Sequence, residues 1–146
     1  MKSLYTAYKA EAVILVVYIR EAHPAARDQG TVAPSKKVND VVYYQPRTFQ
    51  ERRKLAETAC TFWQLPIPTL VDTIAPSAGE IYEAWPNRMY VIDKEGKILY
   101  RGPKGPRGVR PREGEVVLRK LLGKSDSSYV TPEDSALRRA AGQSGR

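Results

Sequence analysis

The sequence predicts an α/β domain in which helices cover both faces of a central mixed sheet. Residues 13–19 form an apolar and largely β-branched run, which is typical of a strand that is covered on both faces. Helical and strand-like patterns alternate along the rest of the chain. The length of 146 residues and the apolar fraction of 42% suit a single globular core.

Two weaker segments flank this strand. Residues 3–11 predict a short helix with Leu4 and Tyr8 on one side, but no capping residue precedes it, which indicates that the chain begins within an element. Residues 20–47 are rich in Gly, Pro, Asp and Asn, which predicts a long loop with a minor strand at 41–44. Long loops of this kind often carry functional residues.

The strongest helix signal follows Thr48. Thr48 and Glu51 have the spacing of a capping box, in which each side chain accepts a hydrogen bond from the backbone N–H of the other residue. An apolar stripe at helical spacing follows at Leu55, Ala59 and Phe62, with Ala56 and Trp63 beside it. We therefore predict a second helix after Thr48.

In the second half of the chain we predict a short strand at residues 69–71 and a brief helix at 79–84. A hairpin follows, with arms at 88–93 and 97–100, and a last helix at 115–122. Gly96 supplies the positive φ that the hairpin turn needs, and Gly123 stands where a helix would end. Ser, Gly and charged residues dominate beyond it. We predict one domain over residues 1–122 and a flexible, disordered tail over residues 123–146.

The composition limits the chemistry that is available. The chain carries 24 Lys and Arg against 16 Asp and Glu, a formal charge of +8, which favours anionic partners without naming one. The sequence has one cysteine, Cys60, and one histidine, His23, which excludes an intrachain disulfide and a cysteine–histidine zinc cluster. We expect neither a metal site nor a cofactor.

No segment has the pattern of a membrane span or of a signal peptide. The longest apolar run, residues 13–19, is too short to cross a bilayer, and Lys9 and Glu11 interrupt the stretch where a signal peptide would be apolar. We expect a cytoplasmic protein with no membrane partner.

A basic segment lies at residues 101–112, with five Lys or Arg and no acidic residue. It has the charge to follow a phosphate backbone, but it lacks aromatic residues for base stacking. A solvated loop is the favoured interpretation, and a nucleic-acid partner is not expected.

The best candidates for proton transfer follow the central strand. Open α/β sheets bind ligands at the carboxyl ends of their strands, and Glu21 and His23 lie just beyond residue 19. Glu21 could orient the imidazole and set its tautomer. The alternative is that both residues make only local hydrogen bonds in a loop.

A set of motifs over residues 3–122 carries a family resemblance. The motifs are Tyr-Ile-Arg-Glu-Ala-His-Pro at 18–24, Gln-Pro-Arg-Thr at 45–48, Leu-Val-Asp-Thr at 70–73, the run at 82–93, Gly-Lys-Ile at 96–98 and Gly-Pro-Lys-Gly-Pro at 102–106. Together they resemble the iodothyronine deiodinases and their bacterial relatives, within the thioredoxin-like superfamily. The hairpin alone is common to many thioredoxin-like proteins.

The resemblance implies a thioredoxin-like fold and a reductive dehalogenation of an iodinated aromatic such as thyroxine. A selenocysteine, or a cysteine in some relatives, attacks the halogen, and a thiol reductant restores this nucleophile. By the same resemblance, Glu21 and His23 hold or protonate the substrate, and Trp85, Pro86 and Arg88 bind it. The Trp85–Pro86 peptide bond is predicted to be cis, as in the equivalent loop of thioredoxin-like proteins.

The chain departs from this family at the nucleophile, which in the family precedes the first helix. Residues 1–146 contain no selenocysteine, and no cysteine lies at that place. Cys60 lies on the apolar side of the second predicted helix, where a small buried residue is expected. Because the selenocysteine codon is normally read as stop, we expect that Met1 is a downstream start and that the fold lacks its first strand.

The resulting hypothesis is a deiodinase-like thiol or selenol oxidoreductase whose nucleophile is absent from this chain, so that the chain alone is inactive. A small-molecule substrate and a thiol reductant would be its partners in full-length form. The alternatives are a non-catalytic thioredoxin-like binding or scaffold protein and a peroxiredoxin-like reductase. Arg20 stands where the family often has a second acid, which weakens the inference of a hormone substrate. A fold without its first strand would expose an unpaired sheet edge, and such an edge can pair with a second copy, so a homodimer is possible.

Overall fold

The computed structural model describes residues 1–25, 37–38, 41–75 and 77–124. These residues form a mixed α/β arrangement, as predicted at the level of fold class. In chain order, its elements are α1 (Lys2–Tyr8), β1 (Val16–Tyr18), β2 (Lys37–Val38), β3 (Val41–Val42), α2 (Phe49–Phe62), β4 (Thr69–Val71), α3 (Ala78–Ile81), β5 (Tyr90–Ile92), β6 (Ile98–Arg101) and α4 (Pro111–Leu121). Within the described ranges, no helix has both the length and the hydropathy that crossing a bilayer requires.

The strands pair two by two. β1 is parallel to β4, in a register that places Val17 opposite Leu70. β2 and β3 form one antiparallel pair, and β5 and β6 form another, with Val91 opposite Tyr100. The predicted hairpin is therefore confirmed, and Gly96 in its turn has a φ of +83°.

The described residues do not form the single central sheet with helices on both faces that the sequence predicts. Val17 and Leu70 share one face of the β1–β4 pair and are 40% and 55% exposed, so no described helix covers that face. β1 and β5 each have one strand neighbour in the described part of the chain, so their sheets stay separate.

The strand predicted at residues 13–19 is only three residues long. Its partner explains the difference, because Pro66 and Pro68 precede β4 and have no backbone N–H that could extend the ladder. The ladder begins where the Val16 N–H donates to the Pro68 carbonyl oxygen at 2.9 Å. Val13 is 91% exposed, so this run is not covered on both faces.

Helix α2 begins as its sequence predicts. Thr48 Oγ1 accepts a hydrogen bond from the Glu51 N–H at 3.2 Å, and the Glu51 carboxylate accepts one from the Thr48 N–H at 3.3 Å. This confirms the capping box. The predicted apolar side is buried only in part. Ala56 is buried and Leu55 and Ala59 are half-buried, whereas Phe62 and Trp63 are exposed. Arg52 is buried as well, which the apolar pattern does not predict.

The apolar core lies between α1, β5 and α4. Leu4, Tyr8, Val91 and Leu118 form one buried cluster, and Met89 packs against it. The cluster includes the side of α1 that the sequence predicts to be apolar, although α1 ends earlier than expected, at residue 8.

Helix α4 begins earlier than predicted because Pro111 occupies its first turn, where a missing backbone N–H costs nothing. Its inner side carries Glu115, whose carboxylate accepts a hydrogen bond from the Tyr8 hydroxyl at 2.8 Å. Lys124 forms an ion pair with Glu11. These contacts tie residue 124 to the domain, and the rest of the predicted tail lies outside the described residues.

Candidate functional site

A cavity of about 230 Å³ lies at the carboxyl ends of β1 and β4. Because these strands are parallel, the residues that follow them meet at the same edge of the pair. α3 and the loop after β6 complete the cavity. Its lining includes Ile19, Arg20, Arg52, Gly79, Trp85 and Lys104.

Asp72 follows β4 and fixes the start of α3. Its buried carboxylate accepts hydrogen bonds from the backbone N–H groups of Ala78 at 2.8 Å and Gly79 at 2.9 Å. Ser77 Oγ accepts another from the Glu80 N–H at 3.1 Å. These bonds satisfy N–H groups that a helix leaves unpaired at its first turn.

Gly79 lets α3 approach the end of β1. A Cβ atom at this position would lie 3.1 Å from Cγ2 of Ile19 and 3.3 Å from Oδ2 of Asp72. A side chain here would therefore push on Ile19, which lines the cavity, and on the carboxylate that holds the start of α3.

Arg52 brings a positive charge from α2 to the cavity. The residue is 5% exposed, and its Nη1 donates to the carbonyl oxygens of Asp72, at 3.2 Å, and Thr73. Its Nε is buried and has no hydrogen-bond partner among the described residues. The guanidinium thus stabilises the loop after β4 and keeps one donor unused.

Arg20 and Trp85 pack against each other in the lining. The guanidinium carbon lies 4.9 Å from the centroid of the Trp85 ring, a cation–π contact. The Trp85–Pro86 peptide bond is cis, which confirms that prediction. Arg20 forms no ion pair with a described residue, so its charge is available to a ligand.

Glu83 lines the cavity next to three cations. Its Oε2 pairs with Arg101 Nη2 and lies 3.7 Å from Lys104 Nζ and 3.4 Å from Arg88 Nη1. The charges of Arg101 and then Lys104 hold the pKa of the Glu83 carboxyl below its ordinary value. The positive charge of Lys104 is therefore offset within the protein.

Glu21 is half-buried just after β1. The Tyr18 hydroxyl donates to its Oε1, and its own N–H donates to Gln45 Oε1 at 3.0 Å. Burial raises the pKa of the Glu21 carboxyl, and the charge of Arg52 acts in the opposite direction. Glu21 therefore keeps its proton to a higher pH than an exposed glutamate does.

The structure brings the predicted site residues together only in part. Trp85 lines the cavity, whereas Glu21, His23, Pro86 and Arg88 do not. His23 is exposed, and no hydrogen bond or ion pair with Glu21 is formed within the described ranges. The functional roles assigned to these residues stay predictions.

The sequence predicts no site role for Arg52, Glu83 or Lys104. A signal exists for Arg52, because it stands one helical turn before the buried Ala56, and a buried arginine requires specific partners. Glu83 and Lys104 belong to the motifs at 82–93 and 102–106, but neither motif indicates their contact, because it joins residues that are far apart in the sequence.

Cys60 lies away from the cavity. The Cys60 thiol is half-buried on α2 and is not part of the cavity lining. Among the residues that the structure describes, no group of three His, Cys, Asp or Glu side chains is arranged to hold a metal ion.

Comparison with known proteins places the sequence among deiodinases. The family model for iodothyronine deiodinase matches residues 1–124. A type I iodothyronine deiodinase from Xenopus laevis is 31% identical over 117 residues, which cover 80% of this chain and 43% of that protein.

Thyroxine 5-deiodinases from Rattus norvegicus and Homo sapiens are also similar to this chain. They are 33% and 32% identical over 113 residues, which cover 75% of this chain and 34% of each relative. The chain therefore spans less than half the length of these curated relatives.

Proposed function

This chain belongs to the iodothyronine deiodinase family, and from that premise we propose that it is the substrate-binding part of a deiodinase-like thiol or selenol oxidoreductase. The nucleophile would come from outside the 146 residues. The observation that carries the proposal is the cavity at the carboxyl ends of β1 and β4, with Arg20 and Trp85 in its lining. Deiodination, the activity in the names of its relatives, supports the reaction class.

A thioredoxin-like arrangement is part of this proposal. The parallel β1–β4 pair, the antiparallel β5–β6 hairpin and the packing of α1 and α4 around β5 are compatible with it. A further strand between β1 and β5 would pair with edges that have no strand neighbour in the described residues. Its carboxyl end would bring the nucleophile to the cavity.

The proposed reaction is a reductive dehalogenation. A selenolate or thiolate attacks the iodine of an iodinated aromatic, so that a Se–I or S–I bond forms, the C–I bond breaks and the ring carbon takes up a proton. Two thiol groups of a cytoplasmic reductant then become a disulfide, which restores the nucleophile as an anion and releases iodide and two protons, one of which replaces the proton taken up by the ring carbon.

We assign proton transfer to Glu21 and His23. Burial raises the pKa of the Glu21 carboxyl, which suits a proton donor. His23 is exposed two residues after Glu21. Trp85 offers an aromatic wall to the substrate, and Pro86 and Arg88 adjoin Trp85 and Glu83 of the lining.

A non-catalytic binding protein is the second candidate function. The observation in its favour is that the described residues form the cavity without a cysteine in its lining. A peroxiredoxin-like reductase is the variant of the first candidate in which a peroxide replaces the iodinated aromatic.

The test is to express the chain with the in-frame sequence that precedes Met1 in its gene, and to measure iodide release from thyroxine and from 4-iodophenol with dithiothreitol. We expect the extended protein to release iodide, and the variants His23→Ala and Glu21→Gln to do so about a hundredfold more slowly. Lys97→Gln, in the exposed hairpin turn, is the control and should change nothing. Two outcomes would contradict the oxidoreductase proposal: the preceding sequence encodes neither cysteine nor selenocysteine, or the extended protein has neither dehalogenase nor peroxide reductase activity. Either outcome would favour the non-catalytic binding function.

A further inference from the structure

Glu83 follows α3 in a backbone conformation that favours glycine. Its φ is +49°, and the turn around it is a Schellman motif, because the Glu83 N–H donates to the Glu80 carbonyl oxygen and the Ala84 N–H donates to that of Gly79. Gln64 occupies the same place after α2, with a φ of +47°. A residue with a Cβ atom is less stable than glycine in this conformation, so each of these side chains has a backbone cost.

The two side chains differ in their contacts. Gln64 is exposed, and its side chain has no hydrogen-bond partner in the described ranges. The Glu83 carboxylate instead lines the cavity and pairs with cations from three segments. These are Arg101 on β6, Lys104 in the loop after β6 and Arg88 in the loop before β5. Exposed ion pairs contribute little to stability, so we expect them to offset no more than the backbone cost.

Arg88 depends on Glu83 more than the other two cations do. Its side chain is only 11% exposed, yet both hydrogen-bond acceptors of its guanidinium within the described residues belong to Glu83. Arg88 Nη1 lies 3.4 Å from the Glu83 carbonyl oxygen and 3.4 Å from Oε2. Arg101 and Lys104 are each 50% exposed, so water can solvate them instead. Loss of the carboxylate would leave the Arg88 guanidinium a single neutral acceptor.

The position of Glu83 links two parts of the cavity wall. The loops before β5 and after β6 adjoin each other, because the Gly105 N–H donates to the Asn87 carbonyl oxygen at 2.9 Å. Trp85 from the first loop and Lys104 from the second line the cavity. Since Glu83 pairs with a cation of each loop, its carboxylate fixes the two loops relative to each other.

We propose that Glu83 is a positioning residue, which holds the Arg88 guanidinium and the Lys104 ammonium group at the cavity. The inference rests on the proposed function in one respect, because Arg88 is there assigned to substrate binding. Glu83 acts through these two side chains and does not contact the substrate. Its loss should therefore raise KM and leave kcat unchanged.

The first test observes Arg88 directly in the 146-residue chain, without a ligand. The heteronuclear nuclear Overhauser effect of its Nε–Hε group reports whether the guanidinium is held, and loss of the signal in Arg88→Lys assigns it. We expect a value close to that of ordered backbone amides in the parent chain and in Gln64→Gly, and a clearly lower value in Glu83→Gln. A mobile Arg88 side chain in the parent, or an equally ordered one in Glu83→Gln, would overturn the proposal.

Two glycine substitutions separate the backbone cost from the contacts. Gln64→Gly removes only the strained conformation and should raise Tm by roughly 3 °C. Glu83→Gly removes the same strain together with the exposed ion pairs, and should leave Tm unchanged or raise it. A clear fall in Tm for Glu83→Gly would show that Glu83 serves the stability of the fold, and would overturn the proposal.

The last test measures iodide release from 4-iodophenol by the extended protein with dithiothreitol. Glu83→Gly and Glu83→Gln should raise KM about tenfold and change kcat by less than about twofold, whereas Gln64→Gly should change neither. An unchanged KM in both Glu83 variants, or an equal rise in Gln64→Gly, would overturn the proposal. If the extended protein releases no iodide, the dehalogenase function is wrong, and the order of the Arg88 side chain in Glu83→Gln still decides the inference.

Discussion

Two regions of the molecule are held together by different kinds of interaction. The core region, which comprises α1, the β5–β6 hairpin and α4, buries an apolar cluster that includes Leu4 and Leu118. The cavity region, which comprises β1, β4, α2 and α3, also buries Ala56 and Ile67, but the hydrogen bonds that join the loop after β4 to α2 and α3 are polar contacts of Arg52 and Asp72.

This difference indicates that the core region contributes mainly to stability and the cavity region mainly to binding. Apolar burial in the core region supplies a contribution that does not depend on a ligand. Buried donors and charges in the cavity region are costly until they are paired, so a ligand can supply part of what this region lacks. Substitutions in the two regions should therefore have different consequences.

The largest effect is expected in the core region. Leu118→Ala removes a side chain of the buried cluster, which is 7% exposed, and should lower the free energy of unfolding by about 3 kcal/mol. Leu121→Ala, on the same helix at 42% exposure, should cost less than about 1 kcal/mol. Urea denaturation measures both, and equal losses would contradict the position of the core.

The next largest effect is expected from Arg52, whose hydrogen bonds join α2 to the loop after β4 in the cavity region. Arg52→Leu leaves the carbonyl oxygens of Asp72 and Thr73 without their charged donor, and should lower the free energy of unfolding by about 2 kcal/mol. Arg53→Leu is the matched control on the solvent side of α2, where a change within about 0.5 kcal/mol is expected. Urea denaturation measures both variants, and equal free energies of unfolding would show that the hydrogen bonds of Arg52 do not stabilise the fold.

A smaller loss of stability is expected from substitutions of two aspartates, each of which accepts hydrogen bonds from two backbone N–H groups. Asp72 is buried and binds the start of α3, whereas Asp93 binds Glu95 and Lys97 in the hairpin turn. Asp72→Asn should cost about 1 to 2 kcal/mol and Asp93→Asn about 0.5 kcal/mol, because an unpaired N–H is more costly when water cannot reach it. Thermal unfolding measures the two losses of stability, and a larger loss for Asp93→Asn than for Asp72→Asn would show that burial does not set the cost.

The smallest effects are pH-dependent and of opposite sign. Burial raises the pKa of Glu21, so the folded state binds this proton more tightly, and the protein loses stability as pH rises from the ordinary glutamate range through the raised value. Arg101 and Lys104 lower the pKa of Glu83, so its contribution is lost as pH falls from that range through the lowered value.

Two variants separate these contributions. Relative to the parent chain, Glu21→Gln should become more stable with rising pH, and Glu83→Gln should become less stable, between about pH 3 and about pH 7. Unfolding by urea across this range measures both trends. The same sign for both variants would contradict the assigned causes.

Local features of the fold could be predicted from the sequence because they depend on near neighbours. The capping box of Thr48 and Glu51 and the turn at Gly96 are set by residues within a few positions of one another. The length of β1 could not be predicted from its own residues, because it is limited by Pro66 and Pro68 before the partner strand.

The candidate site could be predicted only at the level of single motifs. The family resemblance identified Trp85, and the carboxyl end of the first strand identified the region of the cavity. The stacking of Arg20 on Trp85 and the burial of Arg52 depend on elements that are distant in sequence. Neither local periodicity nor a capping rule contains that information.

The most direct test of the account compares iodide release by three proteins under the same reducing conditions: the 146-residue chain, its Cys60→Ser variant and the in-frame extended protein. We expect repeated turnover by the extended protein, and none by the chain or its variant, because we propose that the nucleophile comes from outside these residues. Turnover by the chain alone that Cys60→Ser abolishes would place the nucleophile on α2 and contradict the central claim.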